Sequence, residues 1–225
     1  MQISIIQPRI LRSDTDHNFA IIQNMINLCT GSLIVTAEYI LTGSIVLSDE
    51  RNIEDYIVNQ DVLDRRLIIP ANKKLLINHL NNENGQITNC ASLLPGNIVQ
   101  EKLFPDETEI QLGIRPGKES ILFMEYGKKF RTLICMDMKY AKKIDISELD
   151  FLIWMYHFTE SNYENKMDEA LKFSKENRID IIISSLITDK NNGHSSYIKN
   201  GKINKSILDE GILEIDTDKK YICGI

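Results

Sequence analysis

The chain has 225 residues and a formal net charge of −6; 43% of its residues are hydrophobic and 26% are charged. This is the composition of an ordinary globular domain, and it excludes a disordered, collagen-like or low-complexity chain. The acidic excess disfavours a protein that binds nucleic acid or an anionic membrane, because such a protein needs a basic face. The sequence has no internal repeat and no Ser/Gly linker, which favours a single domain over residues 1–225.

The N-terminal segment and the spacing of the cysteines indicate the cellular compartment. Residues 1–8 lack a basic region and a small-residue cleavage site, so they predict a strand rather than a signal peptide. No apolar run reaches the roughly 18–20 residues of a membrane-spanning helix. The cysteines Cys29, Cys90, Cys135 and Cys223 form no C-x-x-C pair and no compact cluster with histidine, which disfavours disulfides and a zinc site. We therefore expect a cytoplasmic protein.

Short segments rich in Ile, Val and Leu predict strands along the whole chain. Segments 67–70 and 74–80 lie close enough to pair with each other. Three dipeptides predict tight turns: Pro95-Gly96, Gly127-Lys128 and Asn200-Gly201. In chain order, the predicted strands cover residues 2–7, 33–37, 67–70, 74–80, 86–94, 97–102, 120–124, 130–135, 151–155, 179–185, 195–198, 202–204 and 212–215.

Three predicted helices interrupt the strands. The first follows the capping residues 13–16, and its apolar residues recur at helical spacing. The second is predicted over 53–63 and the third over 161–175, with Asn177 as its C-cap. A short fourth helix is predicted directly after Cys135. Because strands outnumber helices and partly alternate with them, we expect a layered α/β protein with helices outside its sheets.

Three residues with reactive side chains stand where predicted strands end: Glu38, Lys102 and Cys135. In isolation, each has an ordinary explanation as a surface carboxylate, a solvated lysine or an inert buried cysteine. A helix that begins at Cys135 would stabilise a thiolate and lower the pKa of its thiol. A strand–Cys–helix turn would also aim the sulfur outward and present the next backbone N–H, that of Met136, as an oxyanion donor.

In this chain order, the three segments resemble the motifs of the nitrilase, or carbon–nitrogen hydrolase, superfamily. The glutamate is followed by a glycine five residues later, the lysine ends a hairpin and precedes a proline, and the cysteine follows an apolar pair. The motifs stand here as Ala37-Glu38-Tyr39-Ile40-Leu41-Thr42-Gly43, as the segment from Asn89 through Glu101-Lys102-Leu103-Phe104-Pro105, and as Leu133-Ile134-Cys135-Met136-Asp137. Segments 173–177 and 195–202 resemble a helix end and a late hairpin of the family.

Three positions depart from the family pattern. Ala37 stands where the family has a proline, Glu101 where it has a basic residue, and Met136 where it has an aromatic residue. The resemblance nevertheless extends from residue 2 to about residue 217, which is nearly the whole chain.

The resemblance implies a four-layer α-β-β-α sandwich and a Glu-Lys-Cys triad. Cys135 would attack the substrate carbonyl, Glu38 would move the thiol proton, and Lys102 with the Met136 N–H would stabilise the oxyanion. The implied reaction is the hydrolysis of an amide or carbamoyl C–N bond in a small, non-peptide molecule through a thioester, with no cofactor and no metal. The family also implies a homodimer or a larger homo-oligomer.

A second glutamate often accompanies the lysine in this family. Glu109 follows Lys102 at the spacing of the nitrilase branch, so we choose it over Glu107 and Glu119. Its expected role is to orient the site.

The family also places a pocket wall after the strand that follows the cysteine. Tyr156, His157 and Phe158 stand there, and we expect at least one of them to contact the substrate. Two other histidines, His79 and His194, are interpreted as surface residues, whereas Cys29 and Cys90 are interpreted as small core residues.

Two alternatives to a hydrolase remain. In one, an amine replaces water as the acyl acceptor, which would make the protein an acyltransferase. In the other, the chain is a catalytically degenerate member of the family that acts as a binding or assembly subunit.

Overall fold

The computed structural model describes residues 1–48, 52–96 and 98–218. Its strands, in chain order, are β1 (Gln2–Gln7), β2 (Leu33–Val35), β3 (Lys74–Glu83), β4 (Gln86–Leu94), β5 (Ile98–Glu101), β6 (Ile114–Arg115), β7 (Phe123–Glu125), β8 (Lys128–Ile134), β9 (Phe151–Met155), β10 (Asp180–Ser184), β11 (Ser195–Lys199), β12 (Lys202–Ile207) and β13 (Gly211–Asp216). The α-helices are α1 (Thr15–Leu28), α2 (Gln60–Arg66), α3 (Glu107–Gln111) and α4 (Tyr163–Asn177). Short 3-10 helices cover Ile45–Leu47, Ile53–Tyr56 and Cys135–Lys143.

The strands form two sheets with a similar arrangement. One sheet has the order β13-β1-β2-β3-β4-β5, with β6 beside β4, and the other has the order β12-β11-β10-β9-β8-β7. Strands β1, β2 and β3 are parallel, as are β8, β9 and β10. The other pairings are antiparallel, except that β6 is parallel to β4. Helix α1 connects two parallel strands of the first sheet and α4 connects two of the second, as crossover connections require.

Alternating side chains separate the two faces of the first sheet. Along β1, Ile3 and Ile5 join a core that also contains residues of β8, β9, β10 and α4, whereas Ile6 joins a core with α1 and α2. Leu75 and Leu76 of β3 divide in the same way. This period of two places helices on one face of the first sheet and the second sheet on its other face. The layers therefore follow the order α-β-β-α, and the predicted four-layer sandwich is confirmed.

Helix α1 forms where the sequence predicts it, with the Asp14 side chain accepting a hydrogen bond from the His17 N–H at 3.1 Å. Helix α4 runs further than predicted. Asn177 lies inside it and donates from its side chain to the Phe173 carbonyl, while Arg178, at φ 53°, is the left-handed cap. The predicted C-cap at Asn177 is therefore wrong by one residue.

The single helix predicted over 53–63 is wrong. A 3-10 turn and α2 replace it, because the chain between them is tied to the first sheet. Ile57 forms a parallel bridge with Leu80, and the Val58 N–H donates to the Leu80 carbonyl at 2.9 Å. These sheet contacts require extended backbone, which overrides the helical spacing of the apolar residues.

The predicted strand over 67–70 is also wrong, since these residues have no regular secondary structure and β3 pairs with β4 instead. Asn84 and Gly85, at φ 53° and 79°, form the tight turn of that hairpin. Asn200 and Gly201 form a similar turn, as predicted.

Smaller differences concern two turns and two short elements. The β7–β8 turn is centred on Tyr126 and Gly127 rather than on Gly127 and Lys128. Asn97, the predicted first residue of β5, lies outside the described residues, as does Cys223. The sequence interpretation missed both α3 and β6. Within the described residues, no helix is both long enough and apolar enough to cross a bilayer.

The buried residues confirm one prediction and overturn another. Cys29 and Cys90 are buried core residues, as expected. His79 is not a surface residue: it is buried, with Nδ1 2.7 Å from the Val58 carbonyl and Nε2 2.8 Å from the Ser92 hydroxyl. Because a carbonyl oxygen accepts only, Nδ1 carries a proton, and burial disfavours a second proton on the ring.

We predict that His79 makes stability depend on pH. Burial lowers the pKa of His79 to about 4, so the unfolded chain binds a proton more readily below the ordinary value of 6.5. The stability from the neutral ring is therefore present above that value and is lost as the pH falls towards 4. Asp137 has the opposite effect, because burial raises its pKa to about 6. We therefore expect the stability advantage of the wild type over His79→Gln to shrink by about 2 kcal/mol between about pH 7 and pH 5.

Urea unfolding of both proteins at the two pH values measures this difference. An advantage that stays constant over this pH range would contradict the buried neutral histidine.

Candidate active site

The ends of three strands bring the predicted triad together. Glu38 lies just beyond the end of β2, Lys102 directly follows β5, and Cys135 directly follows β8. The Lys102 N–H donates to the Asn89 carbonyl at 2.7 Å, which extends the pairing of β5 with β4 by one residue. The site therefore combines strand ends from both sheets, and only the folded sandwich assembles it.

A buried ammonium group lies between two buried carboxylates. Lys102 Nζ donates to Glu38 Oε1 at 2.9 Å and to Glu109 Oε2 at 2.6 Å. All three side chains are almost fully inaccessible to solvent. The structure thus places Glu109 beside Lys102, whereas Glu107 and Glu119 are exposed.

Neutral donors hold the same two carboxylates in place. Asn89 Nδ2 donates to Glu38 Oε1 at 3.0 Å and to Glu109 Oε1 at 2.9 Å. Asn78 Nδ2 in turn donates to Asn89 Oδ1 at 2.7 Å, and Asn78 Oδ1 accepts from the Tyr39 N–H at 2.7 Å. The sequence interpretation did not assign Asn78 or the Asn89 side chain to the site. A buried-strand pattern interrupted by asparagine, as in Leu-Leu-Ile-Asn of β3, is the signal that could have found them.

The oxygens of the two carboxylates differ in their partners. Glu109 Oε1 accepts from the Tyr39 hydroxyl at 2.6 Å and from Asn89, and Oε2 accepts from Lys102 and from the Asp106 N–H at 2.9 Å. All acceptor positions of Glu109 that face the cluster are therefore occupied, and Glu109 fixes Lys102. Its own N–H donates back to Asp106 Oδ1 at 2.9 Å, which completes a capping box at the start of α3.

One carboxylate oxygen of Glu38 has no hydrogen-bond partner among the described residues. Oε1 accepts from Lys102 and Asn89, but Oε2 accepts no hydrogen bond from the described residues. His157 Nδ1 lies 2.8 Å from Oε2, which is an ion-pair distance, although its alignment does not meet hydrogen-bond geometry. Of the four oxygens in the two carboxylates, Glu38 Oε2 is thus the one positioned to accept a proton.

Charge pairing sets the protonation states of Glu38 and Lys102. Burial by itself would raise the pKa of Glu38, but the charges of Lys102 and then His157 outweigh burial and lower this pKa to about 2. Burial would lower the pKa of Lys102, but the adjoining acidic groups, among them the carboxylates of Glu38 and Glu109, raise it well above its usual value. The site therefore holds a carboxylate and an ammonium ion at neutral pH.

The backbone at Cys135 has a strained conformation. Cys135 has φ 48°, a left-handed conformation that a side chain other than glycine rarely adopts. Trp154 Nε1 donates to the Cys135 carbonyl at 2.9 Å and holds this turn. A 3-10 helix rather than an α-helix follows, and Met136 is its second residue. The geometry resembles a nucleophile elbow, with the Met136 N–H in the first turn.

The expectation that the helix lowers the pKa of Cys135 is wrong. Burial raises the pKa of this thiol well above its usual value, the charge of Glu38 raises it further, and Lys102 compensates only in part. The cluster holds two carboxylates and only one ammonium ion. A thiolate at Cys135 would therefore add a second excess negative charge to a buried site, which adds to the rise in the thiol pKa. Cys135 therefore rests as a neutral thiol.

Asp137 connects the cysteine turn to the lysine segment. Its Oδ1 accepts from the Phe104 N–H at 2.8 Å, and its Oδ2 accepts from the Ile134 N–H at 3.1 Å. Phe104 follows Lys102 closely and Ile134 precedes Cys135, so one buried carboxylate sets the spacing of the two functional residues.

The three residues of the predicted pocket wall have different surroundings. His157 contacts Glu38, and the ring of Tyr156 stacks on His157 with centroids 5.6 Å apart. Phe158 is fully buried and packs edge-on against Tyr163, so it belongs to the core behind the site. His194, interpreted as a surface residue, is half-buried and stacks on Tyr163 at 3.9 Å.

Solved structures with the same architecture cover nearly the whole chain. The glutamine-dependent NAD+ synthetase of Acinetobacter baumannii superposes with a TM-score of 0.81 over 95% of this chain, at 16% identity, and the match spans 44% of the synthetase. XC1258 of Xanthomonas campestris, a CN-hydrolase superfamily protein with an arsenic adduct in its active site, has a TM-score of 0.80, at 14% identity, over 96% of this chain and 89% of its own. This chain has the nitrilase-superfamily fold.

A third structure is an amidase from Nesterenkonia sp. AN1. In this Glu-to-Gln variant, the acetamide moiety of fluoroacetamide is attached to the active-site cysteine. It matches 96% of this chain and 89% of its own with a TM-score of 0.74, at 14% identity. No family model matches the sequence, and no curated protein matches it. At these identities, the comparisons establish the fold.

We predict that Cys135 carries no thiolate at neutral pH. A titration of the thiolate ultraviolet absorbance, taken as the difference between wild type and Cys135→Ala, should show ionisation only at strongly alkaline pH. Glu38→Gln should move this ionisation to lower pH, because it removes the negative charge that acts most strongly on the thiol. A thiolate signal at neutral pH that Cys135→Ala abolishes would contradict the high pKa. The buried Cys29 and Cys90, with pKa values raised to about 11 and about 12, cancel in the difference.

Proposed function

We propose that the protein hydrolyses a carbon–nitrogen bond, amide or carbamoyl, of a small non-peptide molecule. The observation that carries this proposal is the buried cluster of Glu38, Lys102 and Glu109 beside Cys135, in which one carboxylate oxygen is left without a hydrogen bond. The fold supports the same reaction class, since the solved structures that share it include an amidase whose active-site cysteine carries an acetamide group.

The first half-reaction transfers the acyl group to Cys135. The sulfur attacks the carbonyl carbon while its proton passes to Glu38 Oε2, so that an S–C bond forms as the S–H bond breaks. The tetrahedral intermediate then collapses, the C–N bond breaks, and the leaving nitrogen takes up the proton. A thioester and a free amine or ammonia result.

The second half-reaction restores the enzyme. Glu38 takes a proton from water as the water oxygen attacks the thioester carbonyl. The S–C bond breaks, the sulfur recovers a proton, and a carboxylic or carbamic acid leaves. The same oxygen of Glu38 therefore acts as base and acid in each half.

Lys102 has a donor left for the oxyanion. An ammonium group carries three N–H donors, and Glu38 and Glu109 accept two of them. We assign the third, together with the Met136 N–H, to the oxygen that becomes negatively charged in the tetrahedral intermediate. A preorganised donor in a dry site typically contributes about 100-fold to 1,000-fold in rate.

Burial of the site favours a small substrate. Cys135 is only 9% exposed, and Glu38 and Lys102 are almost fully inaccessible. A folded polypeptide cannot bring its backbone amide to such a sulfur, whereas a small amide can. The net charge of −6 also disfavours a large polyanionic substrate.

We predict that a library of small amides will contain substrates that release ammonia or amine and acylate Cys135. Glu38→Gln keeps an oxygen for Lys102 but cannot accept the thiol proton, so we expect its kcat to fall by about 100-fold to 10,000-fold. Cys135→Ala should form no acyl-enzyme in acid-quenched intact-protein mass spectra. The matched control is Cys29→Ala, which removes another buried thiol far from the cluster and should still acylate.

Three outcomes would each contradict a part of this proposal. Product release that survives Cys135→Ala would remove the thioester mechanism. The absence of both product and acyl-enzyme across the library would favour the binding or assembly subunit. An added amine that captures the acyl group faster than water does would instead identify an acyltransferase.

A further inference from the structure

Asn78 is a buried asparagine in the middle of β3 that the Glu-Lys-Cys motifs do not explain. It lies on the same face of the strand as Leu76, whose side chain belongs to the apolar core shared with the second sheet. Both Asn78 and Asn89, on the neighbouring strand β4, are fully buried. Because a buried amide without hydrogen bonds costs free energy, each polar atom of these side chains requires a partner.

Two backbone groups determine the orientation of the Asn78 amide. Its Oδ1 accepts from the Tyr39 N–H at 2.7 Å, and its Nδ2 donates to the Cys90 carbonyl at 3.0 Å. A backbone N–H can only donate and a backbone carbonyl can only accept. If the amide turned over, a donor would face the Tyr39 N–H and an acceptor would face the Cys90 carbonyl, so both bonds would be lost. The backbone therefore fixes this orientation.

Asn78 in turn determines the orientation of the Asn89 amide. The Asn78 Nδ2 group also donates to Asn89 Oδ1 at 2.7 Å. With Oδ1 engaged in this way, Asn89 Nδ2 faces the two carboxylates and donates to Glu38 Oε1 at 3.0 Å and to Glu109 Oε1 at 2.9 Å. An amide nitrogen carries two N–H donors, so Asn89 uses both of them on the carboxylates.

The contacts close into a ring beside Glu38. Tyr39, whose N–H binds Asn78, donates from its hydroxyl to Glu109 Oε1 at 2.6 Å, and Asn89 donates to the same oxygen. Tyr39 directly follows Glu38 and has φ 55°, a left-handed conformation that its bond to Asn78 stabilises. The ring therefore holds Glu38 through its backbone neighbour as well as through its side chain.

Building on the proposed function, we infer that Asn78 is a positioning residue for the general base, because it fixes the Asn89 amide with both donors towards the carboxylates. Asn89 and Lys102 then occupy Glu38 Oε1, which leaves Oε2 for the Cys135 proton. Without Asn78, the Asn89 amide is free to turn over, and its oxygen would repel carboxylates that already carry excess negative charge. Glu38 would then be displaced, and a misplacement of about 1 Å in an active site can lower a rate by about 100-fold.

The rate at which iodoacetamide alkylates Cys135 tests this role. Formation of the S–C bond requires loss of the same thiol proton and needs no identified substrate. Mass spectrometry follows the reaction, and each rate is divided by that of the wild type at the same pH. The variants are Asn78→Leu, which has a similar size but no polar atom, and Asn78→Asp, each alone and combined with Asn89→Ala.

We expect Asn78→Leu to slow alkylation by about 10-fold. In the Asn89→Ala background, the same change should alter the rate by less than about 2-fold, because no amide remains to be oriented. Asn18→Leu is the matched control. Asn18 is also buried and donates to the Leu41 carbonyl at 2.8 Å, in the segment that carries Glu38, but its side chain binds only backbone groups among the described residues. Its rate should stay within about 2-fold of the wild type.

Asn78→Asp separates the missing donor from other damage, and it carries the test alone if Asn78→Leu does not fold. Its carboxyl keeps an acceptor for the Tyr39 N–H, but it has one O–H donor when protonated and none when ionised. Burial beside two carboxylates raises the pKa of this carboxyl. We therefore expect a rate close to that of the wild type at about pH 5.5 and a fall as the pH rises. The nearest titratable groups, which all variants share, are Tyr39, Glu38, Glu109 and Lys102.

Four outcomes would overturn the inference. The first is a rate of Asn78→Leu within about 2-fold of the wild type, and the second is an equal slowing by Asn18→Leu. The third is an Asn78→Asp protein as slow as Asn78→Leu at every pH, which would show that a donor at this position does not matter. The fourth is an equal fall with pH in the Asn89→Ala background, which would mean that the new charge acts directly on Cys135.

This test is separate from that of the proposed function. Coupling between Asn78 and Asn89 without turnover of any amide would leave the positioning role standing and remove the hydrolase. Turnover of an amide without this coupling would do the reverse.

Discussion

The ion cluster around Lys102 is the constraint on which the site depends. Removing an ammonium ion from water costs several kcal/mol, and one carboxylate in poor geometry does not recover that cost. Here Lys102 has two carboxylates at 2.9 and 2.6 Å, and Asn89 donates to both of them. Lys102 alone carries the compensating charge, so its removal would leave two buried carboxylates without a counter-ion. The geometry of Glu38, and hence its one available oxygen, follows from this dependence.

The sandwich supplies the rigidity that such a cluster needs. Glu38 and Cys135 lie at the carboxyl ends of the parallel strands β2 and β8, whereas Lys102 follows β5, an outer strand that pairs antiparallel with β4. Asn78 in the middle of β3 fixes Asn89, while Asp137 fixes the spacing between the segments that carry Lys102 and Cys135. Polar groups buried within the sheet therefore position the site, and the apolar core holds those groups in place.

Sequence alone predicts the parts of this architecture that depend on local patterns. Strand ends at Glu38, Lys102 and Cys135 follow from apolar runs, and α1 follows from its capping residues. The prediction of a helix over 53–63 fails because Ile57 pairs with Leu80, a residue of a distant strand, and the local sequence pattern does not show this contact. The prediction that His79 lies at the surface fails for a similar reason, since its hydrogen-bond partners come from other segments. By contrast, the Asn84-Gly85 turn depends on a local pattern, because Asn-Gly is a common two-residue hairpin turn.

The motifs identify the residues of the site, but the protonation state of Cys135 could not be deduced from them. A helix start suggests a stabilised thiolate, but burial raises the pKa of the Cys135 thiol, and the two carboxylates that face one ammonium raise it further. A neutral thiol reacts slowly with oxidants, since the thiolate is the reactive form. The neutral Cys135 thiol is therefore protected at rest, and under the proposed function it would react only when a carbonyl arrives and the S–C bond forms as the proton leaves. Under the proposed function, the burial and the charge excess that raise the thiol pKa would also favour acyl transfer over adventitious thiol chemistry.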